Sequence, residues 1–564
     1  MDTRFLHRII LVGFFILVAT FFCYQIQQGD YYLEKARNNY IKIVPFPSMR
    51  GRILDRQGKV LAYDSPIFTI AVVPYQIRQD RDTFFEEVSQ ITGQERTQIE
   101  STYQKNFLNV FSPVDIIEDI PKEKALKIKE KLKGQVTIRA LPRRTYAFGY
   151  EYSHILGYVK DAKIVYRDLK EYGYSPFERT GVGGIEQYYD SYLKGTDGAD
   201  LIEVNSKGEM VGFLGKTQKA KGSDLSLTID SRLQALAYEC LEGHRGVLIL
   251  MNAKNGEMLA LVSHPSYNVN DFLEGKHVSA ILHDRNKPLI NRAIQARYPP
   301  GSLFKPLLAL AALQEKEITP RTTFFCNGGI SYGNVFFGCT KHHGDENIYQ
   351  ALSHSCNVYF YNIGLLLKVE KLAHWAKLFR LDQECFIDLP YEKKGLVPDR
   401  RWKRRKKGTS WFGGDTLNFS IGQGFFEITP LRAAVMMNVF ASGGEIVFPH
   451  IGRLIENTEI PHRSSIPLNV SPENIAIVRQ GLRRTVSDPE GTAHLLNELG
   501  LKISGKTGTA QTGREESHGW FAGFFPYKGS EYTICVFLEY GKSSAVAVKV
   551  AYHFLEQLKE KDLL

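Results

Sequence analysis

The feature that most constrains this chain is a run of apolar residues near its N-terminus. Residues 9–26 are almost wholly apolar, and no later stretch is as long and as apolar. A run of this length can cross a bilayer as one helix. Arg4, His7 and Arg8 precede it, which by the positive-inside rule places the N-terminus in the cytoplasm. We therefore predict a single-pass anchor in the cytoplasmic (inner) membrane, with the rest of the chain on the periplasmic or extracytoplasmic side.

A cleaved signal peptide is the alternative interpretation of this run. Bulky Phe21, Phe22 and Tyr24 stand where a small-residue cleavage site is expected, so we favour an uncleaved anchor. The length of 564 residues then predicts more than one further domain. We expect a cytoplasmic tail (1–8), a transmembrane anchor (9–28), an elongated pedestal with a helical head insertion (29–222) and a second domain (223–564).

The charge of the chain narrows its possible partners. The formal net charge is +10 and the sequence pI is near 9.0, which suits an anionic neighbourhood. No nucleic-acid-binding motif occurs in the sequence, so we expect no nucleic-acid partner. The basic run at residues 400–407 (RRWKRRKK) is interpreted as a solvated loop, although it could also meet an anionic surface.

The second domain has apolar runs at its two sequence ends and helical patterns between them. Two apolar runs meet at Lys254-Asn255-Gly256, which predicts a β-hairpin. Near the C-terminus, ISGKTGTAQ, GWFAGFF and YTICVFLEY predict three more strands, and SSAVAVKVAYHFLEQL predicts a closing helix. The fold class is therefore α+β, with helices between residues 300 and 440.

The stretch RYPPGSLFKP (297–306) places Ser302 and Lys305 just after a stiff turn. Positions i and i+3 of a helix share a face, so the two side chains can meet. A serine hydroxyl is a poor nucleophile until a base takes its proton, and a lysine whose pKa is lowered can be that base. Taken alone, the simpler interpretation, a serine near a helix N-terminus and a surface lysine, is preferred.

Two later stretches favour the catalytic interpretation of Ser302 and Lys305. SHSCNVYFYNIG carries Ser355 and Asn357 at the start of an apolar helix, where a hydroxyl can relay a proton and an amide can hold a peptide. SGKTGTAQ carries Lys506, Thr507 and Gly508 on a predicted strand. Glycine on a strand permits close backbone approach, and the lysine and hydroxyls suit a substrate carboxylate.

Ser-x-x-Lys, Ser-x-Asn and Lys-Thr-Gly in this order form the motif set of penicillin-binding proteins and class A β-lactamases. Each motif is weak alone, because SYLK (191–194) and SYN (266–268) also occur. Both of these extra matches precede the nucleophile and fall outside the required order. The ordered triple is therefore much more specific than any of its parts.

Further blocks make the chain resemble the class B penicillin-binding proteins, and within them the penicillin-binding protein 2 branch, the peptidoglycan D,D-transpeptidases of cell-wall elongation. The similar blocks are RGRILDRQGKVLA, TGVGGIEQYYD, LTIDSRLQ, VLILMNAKNGEMLALVSHPSY, YPPGSLFKP, SIGQGFFEITPLRAA, SGKTGTAQ and HGWFAGFFP. The resemblance implies a transpeptidase domain with an antiparallel sheet flanked by helices. It also implies stem peptides ending in D-Ala-D-Ala as substrates, covalent binding of β-lactams, and a membrane-embedded glycan polymerase of the shape, elongation, division and sporulation family as partner.

The resemblance also implies a role for each motif residue, and no cofactor for catalysis. Ser302 is the expected nucleophile, Lys305 its base, and Ser355 and Asn357 are expected to relay protons and position substrate. The expected carboxylate-binding residues are Lys506, Thr507, Gly508 and Thr509. The backbone N–H groups of Ser302 and Thr509 are the expected oxyanion hole.

Two other functions remain open at this stage. A β-lactamase or β-lactam sensor shares the serine–lysine core, but the long pedestal on one anchor favours the transpeptidase. A non-catalytic cell-wall scaffold would tolerate loss of Ser302 or Lys305, and both residues are present.

A cluster of possible metal ligands lies between the first motif and the end of the second. Cys326, Cys339, His343 and Cys356 follow the spacing C-x12-C-x3-H-x12-C, a Cys₃His set suited to structural zinc. Some members of the penicillin-binding protein 2 branch, which this chain resembles, carry a zinc ion beside the active site. A histidine and a cysteine are among the ligands there, and aspartates can supply the other two ligands. His342 is an alternative to His343, and Asp345 is a possible oxygen ligand. A Cys326–Cys339 disulfide is the competing interpretation, but it leaves His343 and Cys356 unexplained.

Overall fold

The N-terminal anchor stands apart from the rest of the chain. The computed structural model describes residues 3–77, 79–107, 110, 113–165, 178–205, 210–513 and 516–564. Helix α1 (Thr3–Phe22) leads through a π-helical turn (Cys23–Gln27) to α2 (Gly29–Tyr40). Within those ranges, Arg4–Gln27 is the one helix long and apolar enough to cross a membrane, and none of it is buried in the protein. The described part of the chain thus contains one candidate anchor.

The pedestal combines strands with short helices. Its strands are β1 (Ile41–Phe46), β2 (Ile53–Leu54), β3 (Val60–Val72), β4 (Val114–Ile120), β5 (Val136–Tyr146), β6 (Tyr158–Asp161), β7 (Arg179–Val182), β8 (Gly198–Val204) and β9 (Met210–Thr217). Its helices are α3 (Arg81–Thr92), α4 (Arg96–Asn106), α5 (Lys122–Lys131), α6 (Ser153–Leu156), α7 (Ala162–Val165), α8 (Gly184–Tyr188) and α9 (Asp190–Leu193). Strands β1, β8 and β9 form an antiparallel sheet next to the anchor. Helices α3 to α5 pack on β3 to β5 around their own apolar core.

The C-terminal domain contains the larger part of the secondary structure. Its strands are β10 (Leu225–Leu227), β11 (Gly246–Asn252), β12 (Met258–His264), β13 (Phe324–Cys326), β14 (Gly329–Tyr332), β15 (Val335–Gly338), β16 (Gly344–Glu346), β17 (Glu445–Ile446), β18 (Gly452–Ile455), β19 (Thr458–Glu459), β20 (Ile466–Pro467), β21 (Ser504–Ala510), β22 (His518–Tyr527) and β23 (Ser530–Leu538). Its helices are α10 (Ser231–Cys240), α11 (Val269–Glu274), α12 (Val278–His283), α13 (Arg292–Gln295), α14 (Lys305–Gln314), α15 (Ile348–Ser353), α16 (Asn357–Leu378), α17 (Arg400–Lys407), α18 (Gly413–Ser420), α19 (Pro430–Ala441), α20 (Pro472–Ser487) and α21 (Ser544–Glu560).

An antiparallel five-stranded sheet, in the order β12-β11-β23-β22-β21, organises this domain. Strand β11 is buried on both faces, as its unbroken apolar sequence requires. Helices α10 and α21 cover one face of the sheet, and α14, α16 and α19 lie on the other. The predicted α+β class, the hairpin at Asn255-Gly256, the three C-terminal strands and the closing helix are confirmed.

The pedestal and the C-terminal domain share a sheet. Strand β10 pairs in parallel with β2 of the pedestal and antiparallel with β18, so a ladder crosses the expected boundary near Gly222. A hydrogen bond also joins the two domains: Tyr189 Oη of the pedestal donates to Asp388 Oδ2 of the C-terminal domain at 2.7 Å. The same carboxylate accepts the backbone N–H of Ile451 at 2.7 Å and of Gly452 at 2.6 Å. These contacts join the two domains through buried polar groups.

A buried ionic network holds the pedestal together. The Glu186 carboxylate accepts hydrogen bonds from Arg50 at 2.8 Å and from Arg144 at 2.6 Å. Arg50 also pairs with Asp190 at 2.7 Å. Burial raises the pKa of Glu186, but the charges of Arg144 and Arg50 outweigh it, so the net pKa lies below the ordinary value.

One prediction about local structure is wrong. Residues 400–407, expected to be a solvated loop, form helix α17. The Asp399 side chain caps the helix by accepting the Trp402 N–H at 2.7 Å, and Gly408 ends it with φ +70°. An N-cap aspartate and a C-terminal glycine are strong helix boundary signals. They flank the basic run in the sequence and outweigh its charge repulsion.

Candidate functional site

The turn before Ser302 is fixed by close backbone packing. Gly301 has φ +56°, and a Cβ built there would lie 2.8 Å from Thr509 O. Its N–H donates to Gly422 O at 2.9 Å. The helix expected to carry Ser302 is divided: residues Gly301–Phe304 form a 3₁₀ turn, and α14 begins at Lys305. The turn brings Ser302 to the wall of a cleft.

Lys305 lies buried beneath this cleft, with its side chain aimed at the second motif. Its Nζ donates to Ser355 O at 2.7 Å, to Ser355 Oγ at 3.3 Å and to Asn357 Oδ1 at 2.7 Å. Burial lowers the pKa of Lys305 to about 8. Among the described contacts, no hydrogen bond joins Lys305 Nζ directly to Ser302 Oγ; such bonds often tighten only when substrate binds.

The second motif adopts an unusual backbone to reach Lys305. Ser355 has φ +59°, a left-handed conformation that costs energy for a residue with a side chain. This conformation turns the Ser355 carbonyl toward the lysine. Asn357 then begins α16, as predicted, and its Nδ2 donates to Gly338 O at 3.1 Å. Strain at this position therefore serves the contact between the first two motifs.

The third motif lies on a strand, as predicted, and this strand, β21, is at the edge of the five-stranded sheet. Thr507 and Thr509 line the cleft, whereas Lys506 is fully buried behind it. Burial and the nearby charge of Lys305 hold the pKa of Lys506 well below its usual range. A Cβ at Gly508 would lie 2.8 Å from Pro300 O, so this glycine allows the strand to approach the nucleophile turn.

The three motifs converge on one cleft of about 700 Å³. Ser302, Ser355, Asn357, Thr507 and Thr509 line it directly, and Lys305, Lys506 and Gly508 stand behind its wall. The decoy sequences at 191–194 and 266–268 do not line it. The structure thus brings together all eight residues expected for catalysis and substrate binding.

The cleft also contains residues that the motif analysis did not single out. Thr507 Oγ1 donates to Thr492 Oγ1 at 2.7 Å, and Gln423 Nε2 donates to Thr509 O at 3.3 Å. Gln423 belongs to the SIGQG block, whose two glycines signal close packing. No local pattern in the sequence marks Thr492, which reaches the cleft only through the tertiary fold.

The predicted cysteine and histidine cluster is assembled beside the second motif. The ligand atoms of Cys326, Cys339, His343 and Cys356 all lie within 4.8 Å of one another. His343 Nδ1 is 3.4 Å from Cys326 Sγ and 3.5 Å from Cys339 Sγ, and the Cys339 and Cys356 sulfurs are 4.0 Å apart. Tetrahedral zinc bonds of about 2.3 Å to sulfur and 2.0 Å to nitrogen place ligand atoms roughly 3.5–3.8 Å apart. The four residues therefore fit zinc.

The other possible ligands lie outside this group. His342 Nδ1 is 3.1 Å from Asn327 Oδ1 and faces solvent, and Asp345 is exposed on β16. The hydrogen bond with Cys356 lowers the pKa of the Cys339 thiol, while burial opposes the shift. Cys339 Sγ also accepts the Asn357 N–H at 3.1 Å, so the cluster touches a motif residue directly.

Comparison with known families agrees with this geometry. Residues 246–556 match the penicillin-binding protein transpeptidase domain, and residues 45–227 match the penicillin-binding protein dimerisation domain. The chain belongs to the penicillin-binding protein family. The pedestal and the C-terminal domain of this penicillin-binding protein correspond to the two matched regions.

Similar proteins extend over nearly the whole chain. A protein of Haemophilus influenzae named peptidoglycan D,D-transpeptidase MrdA is 30% identical, over 98% of this chain and 91% of its own length. The Escherichia coli protein of the same name is 29% identical, over 95% and 90%.

Solved structures show the same architecture. Penicillin-binding protein 2 of Helicobacter pylori, in complex with MreC, has a TM-score of 0.82 and 29% identity, covering 93% of this chain and 100% of that one. A chain of a peptidoglycan synthase complex has a TM-score of 0.73 and 28% identity, covering 98% and 97%.

Proposed function

We propose that this penicillin-binding protein is a peptidoglycan D,D-transpeptidase of cell-wall elongation that works through an acyl-enzyme on Ser302. The observation that carries the proposal is the convergence of the three motifs, with a buried Lys305 beneath the serine and joined to Ser355 and Asn357. The transpeptidase names of relatives that span nearly the full chain support the same activity.

In the first half-reaction, the neutral amine of Lys305 takes the proton of Ser302 Oγ. The oxygen attacks the carbonyl carbon of the penultimate D-Ala, the C–N bond to the terminal D-Ala breaks, and the departing amine takes up the proton. The backbone N–H groups of Ser302 and Thr509 would bind the oxyanion, and Lys506, Thr507 and Thr509 the terminal carboxylate. Lys305 serves as base because burial already disfavours its charged form.

In the second half-reaction, an amino group of another stem peptide attacks the ester. A new amide bond forms, the ester bond to Ser302 Oγ breaks, and the proton lost by the amine returns to the serine through Lys305. A β-lactam enters by the first step, but its leaving amine remains tethered in the opened ring. The acyl-enzyme therefore persists, whereas a β-lactamase would hydrolyse it quickly.

We also propose that Cys326, Cys339, His343 and Cys356 hold a structural zinc ion. When bound, the metal would supply a cross-link and no chemistry to the acyl transfer. Cys326 and Cys339 lie at the two ends of the β14–β15 hairpin, and Cys356 adjoins Ser355. These four side chains would hold the hairpin against the second motif and so keep Asn357 in register with Lys305.

The anchor and the pedestal suggest how the enzyme is positioned. We propose that the N-terminus is cytoplasmic and the catalytic domain extracytoplasmic, because Arg4 and Arg8 precede the anchor. Protease added to spheroplasts should then digest the C-terminal domain, and full protection would reverse the topology. We propose that the pedestal binds a membrane-embedded glycan polymerase, since a similar chain occurs in a peptidoglycan synthase complex. Co-purification that survives deletion of 40–222 would contradict pedestal binding.

Mass spectrometry of the purified protein after exposure to penicillin tests the catalytic proposal. We expect one stable penicilloyl adduct per chain, mapped to the peptide with Ser302 and lost in Ser302→Ala. Rapid loss of the adduct from the wild type would favour a β-lactamase. Absence of any adduct would favour a non-catalytic scaffold, and an adduct on another serine would refute the assignment.

A further inference from the structure

Helix α17 carries a concentration of charge that the catalytic mechanism does not use. Every residue of the helix except Trp402 is an arginine or a lysine. Some of these cations hold the helix in place: Arg400 pairs with Glu370, and Lys403 is buried and pairs with Asp415. Of these two cations, only Lys403 lies on the buried side of the helix, whereas the Arg400–Glu370 pair is exposed.

The outer side of α17 carries cations without acidic partners. Arg401, Arg404 and Arg405 are exposed, and in the described ranges no carboxylate forms an ion pair with them. Their positions, i, i+3 and i+4, place them on one face of the helix. Like charges at this spacing destabilise a helix. The helix dipole favours Arg404 and Arg405, which lie in the last turn, but it disfavours Arg401 in the first turn. Packing within the protein does not account for this face.

Helix α17 packs against segments that line the active-site cleft. Trp402 packs against Phe425 with ring centroids 5.3 Å apart, and Phe425 lies two residues after the cleft residue Gln423. The Lys403–Asp415 pair ties α17 to α18, which contributes Asn418 to the cleft. Helix α17 is thus attached to the segment that supplies Asn418 and Gln423 to the cleft, although its cationic face lies outside the cleft.

Two exposed aromatic side chains lie near the helix and the cleft. Phe336 of the β14–β15 hairpin lines the cleft and is 65% exposed, and Phe412 covers the Lys403 ammonium at 4.4 Å and is 62% exposed. The hairpin meets this segment closely, because a Cβ at Gly413 would lie 2.2 Å from the Tyr332 ring. Exposed aromatic rings therefore lie both at the cleft, on Phe336, and against α17, on Phe412.

We propose that the face formed by Arg401, Arg404 and Arg405 is a docking surface for the carboxylates of peptidoglycan strands. The inference rests on the proposed transpeptidase function and adds a second contact with the polymer. Each stem peptide ends in a carboxylate, and a strand presents many of them at intervals. The cleft would hold the reacting stem peptides, while the guanidinium groups of this face would bind carboxylates of neighbouring peptides in bidentate fashion.

The test measures binding of the full chain in detergent to purified peptidoglycan sacculi by co-sedimentation, after penicillin has blocked the cleft. The variant Arg401→Ala/Arg404→Ala/Arg405→Ala should bind about tenfold more weakly than wild type. Wild-type binding should fall as salt rises, because exposed charges are screened. Sacculi whose carboxylates have been amidated with a carbodiimide should bind the wild type as weakly as intact sacculi bind the variant.

Two further variants serve as controls. Lys127→Ala/Lys129→Ala/Lys131→Ala removes the same charge from the exposed face of α5 and should leave sacculus binding unchanged. Replacement of the three arginines by lysine keeps the charge and should restore most of the binding.

The outcomes separate this proposal from the catalytic one. The alanine variant should be acylated by penicillin at the wild-type rate, because a small β-lactam does not reach α17. Unchanged sacculus binding by the alanine variant, or loss of binding only to vesicles of anionic phospholipid, overturns the docking surface. Failure of the wild type to be acylated contradicts the proposed function instead.

Discussion

Lys305 Nζ lies 2.7 Å from Asn357 Oδ1, and this contact links the nucleophile turn to the second motif. Because the lysine is fully buried, its amine depends on these few partners for hydrogen bonds. The site is therefore sensitive both to the protonation of Lys305 and to the placement of the helix that begins at Asn357.

The pKa of Lys305 sets the expected pH dependence of acylation. Burial lowers this pKa to about 8, and only the neutral amine can accept the Ser302 proton. The second-order rate constant for penicillin acylation should therefore rise with pH and level off above about pH 8. Lys305→Ala should lower the rate by roughly 10²- to 10⁴-fold. Lys305→Arg keeps the charge but cannot give up a proton, so a rate near that of the wild type would contradict the base assignment.

Gly422 tests the backbone packing behind the nucleophile. It has φ +72°, and an added Cβ would lie 2.1 Å from Gly301 O. Gly422→Ala should therefore displace the turn that carries Ser302 and lower penicillin acylation at least tenfold. Gly243→Ala is the matched control, because Gly243 has φ +77° with nothing within 4 Å of the added atom. It should cost only about 1–2 kcal/mol of stability and leave acylation intact. Equal effects of the two changes would argue against the packing explanation.

Metal content tests the cysteine cluster. Protein purified without chelator should contain about one zinc ion per chain, measured by elemental mass spectrometry. Cys356→Ala should lower both zinc content and penicillin acylation, because the same residue adjoins Ser355 and Asn357. Cys535→Ala, a buried cysteine of β23, should change neither. A Cys326–Cys339 disulfide found by non-reducing peptide mapping, in protein without metal, would refute the site.

The buried pedestal network predicts a large stability effect far from the cleft. Glu186→Gln removes the carboxylate shared by Arg50 and Arg144, which would then retain only Asp190 and Asp64 as acidic partners; the loss should cost about 3–5 kcal/mol in the free energy of unfolding. Because the folded-state pKa of Glu186 is lowered, its stabilisation is present above the unfolded pKa and is lost as pH falls through the folded value. Thermal unfolding of the wild type and the variant should converge at acidic pH. Asp82→Asn, at an exposed pair with Arg96, should change stability little.

Much of the site follows from the sequence because its parts are local. Each motif fits within four residues, and turn, strand and helix signals around the motifs agree with their observed elements. The ligand cluster was also predictable, since cysteine and histidine near one another in sequence are rarely accidental. The prediction of a loop at residues 400–407 is wrong because the Asp399 and Gly408 boundary signals outweigh the charge repulsion within the run.

Other parts of the site depend on contacts that no local pattern records. Ser355 has a left-handed conformation, and its carbonyl accepts a hydrogen bond from the distant Lys305; a serine gives no local signal of such a conformation. Thr492 reaches Thr507 only because α20 and the segment after it pack beside β21. Likewise, the parallel pairing of β10 with β2 joins residues distant in the chain, and short strands carry little information about their partners.

Strand β21 has one neighbour in its sheet, β22, and its other edge adjoins the cleft. An open edge is normally a liability, because it can pair with any extended chain and so promote aggregation. Here the unpaired edge of β21 would allow a peptide to add to the sheet as a sixth strand, through main-chain hydrogen bonds that do not depend on the identity of the side chains. The enzyme would then bind the backbones of many peptides with similar affinity. Its selectivity among them would have to come from contacts with the end of the peptide, beyond the paired residues.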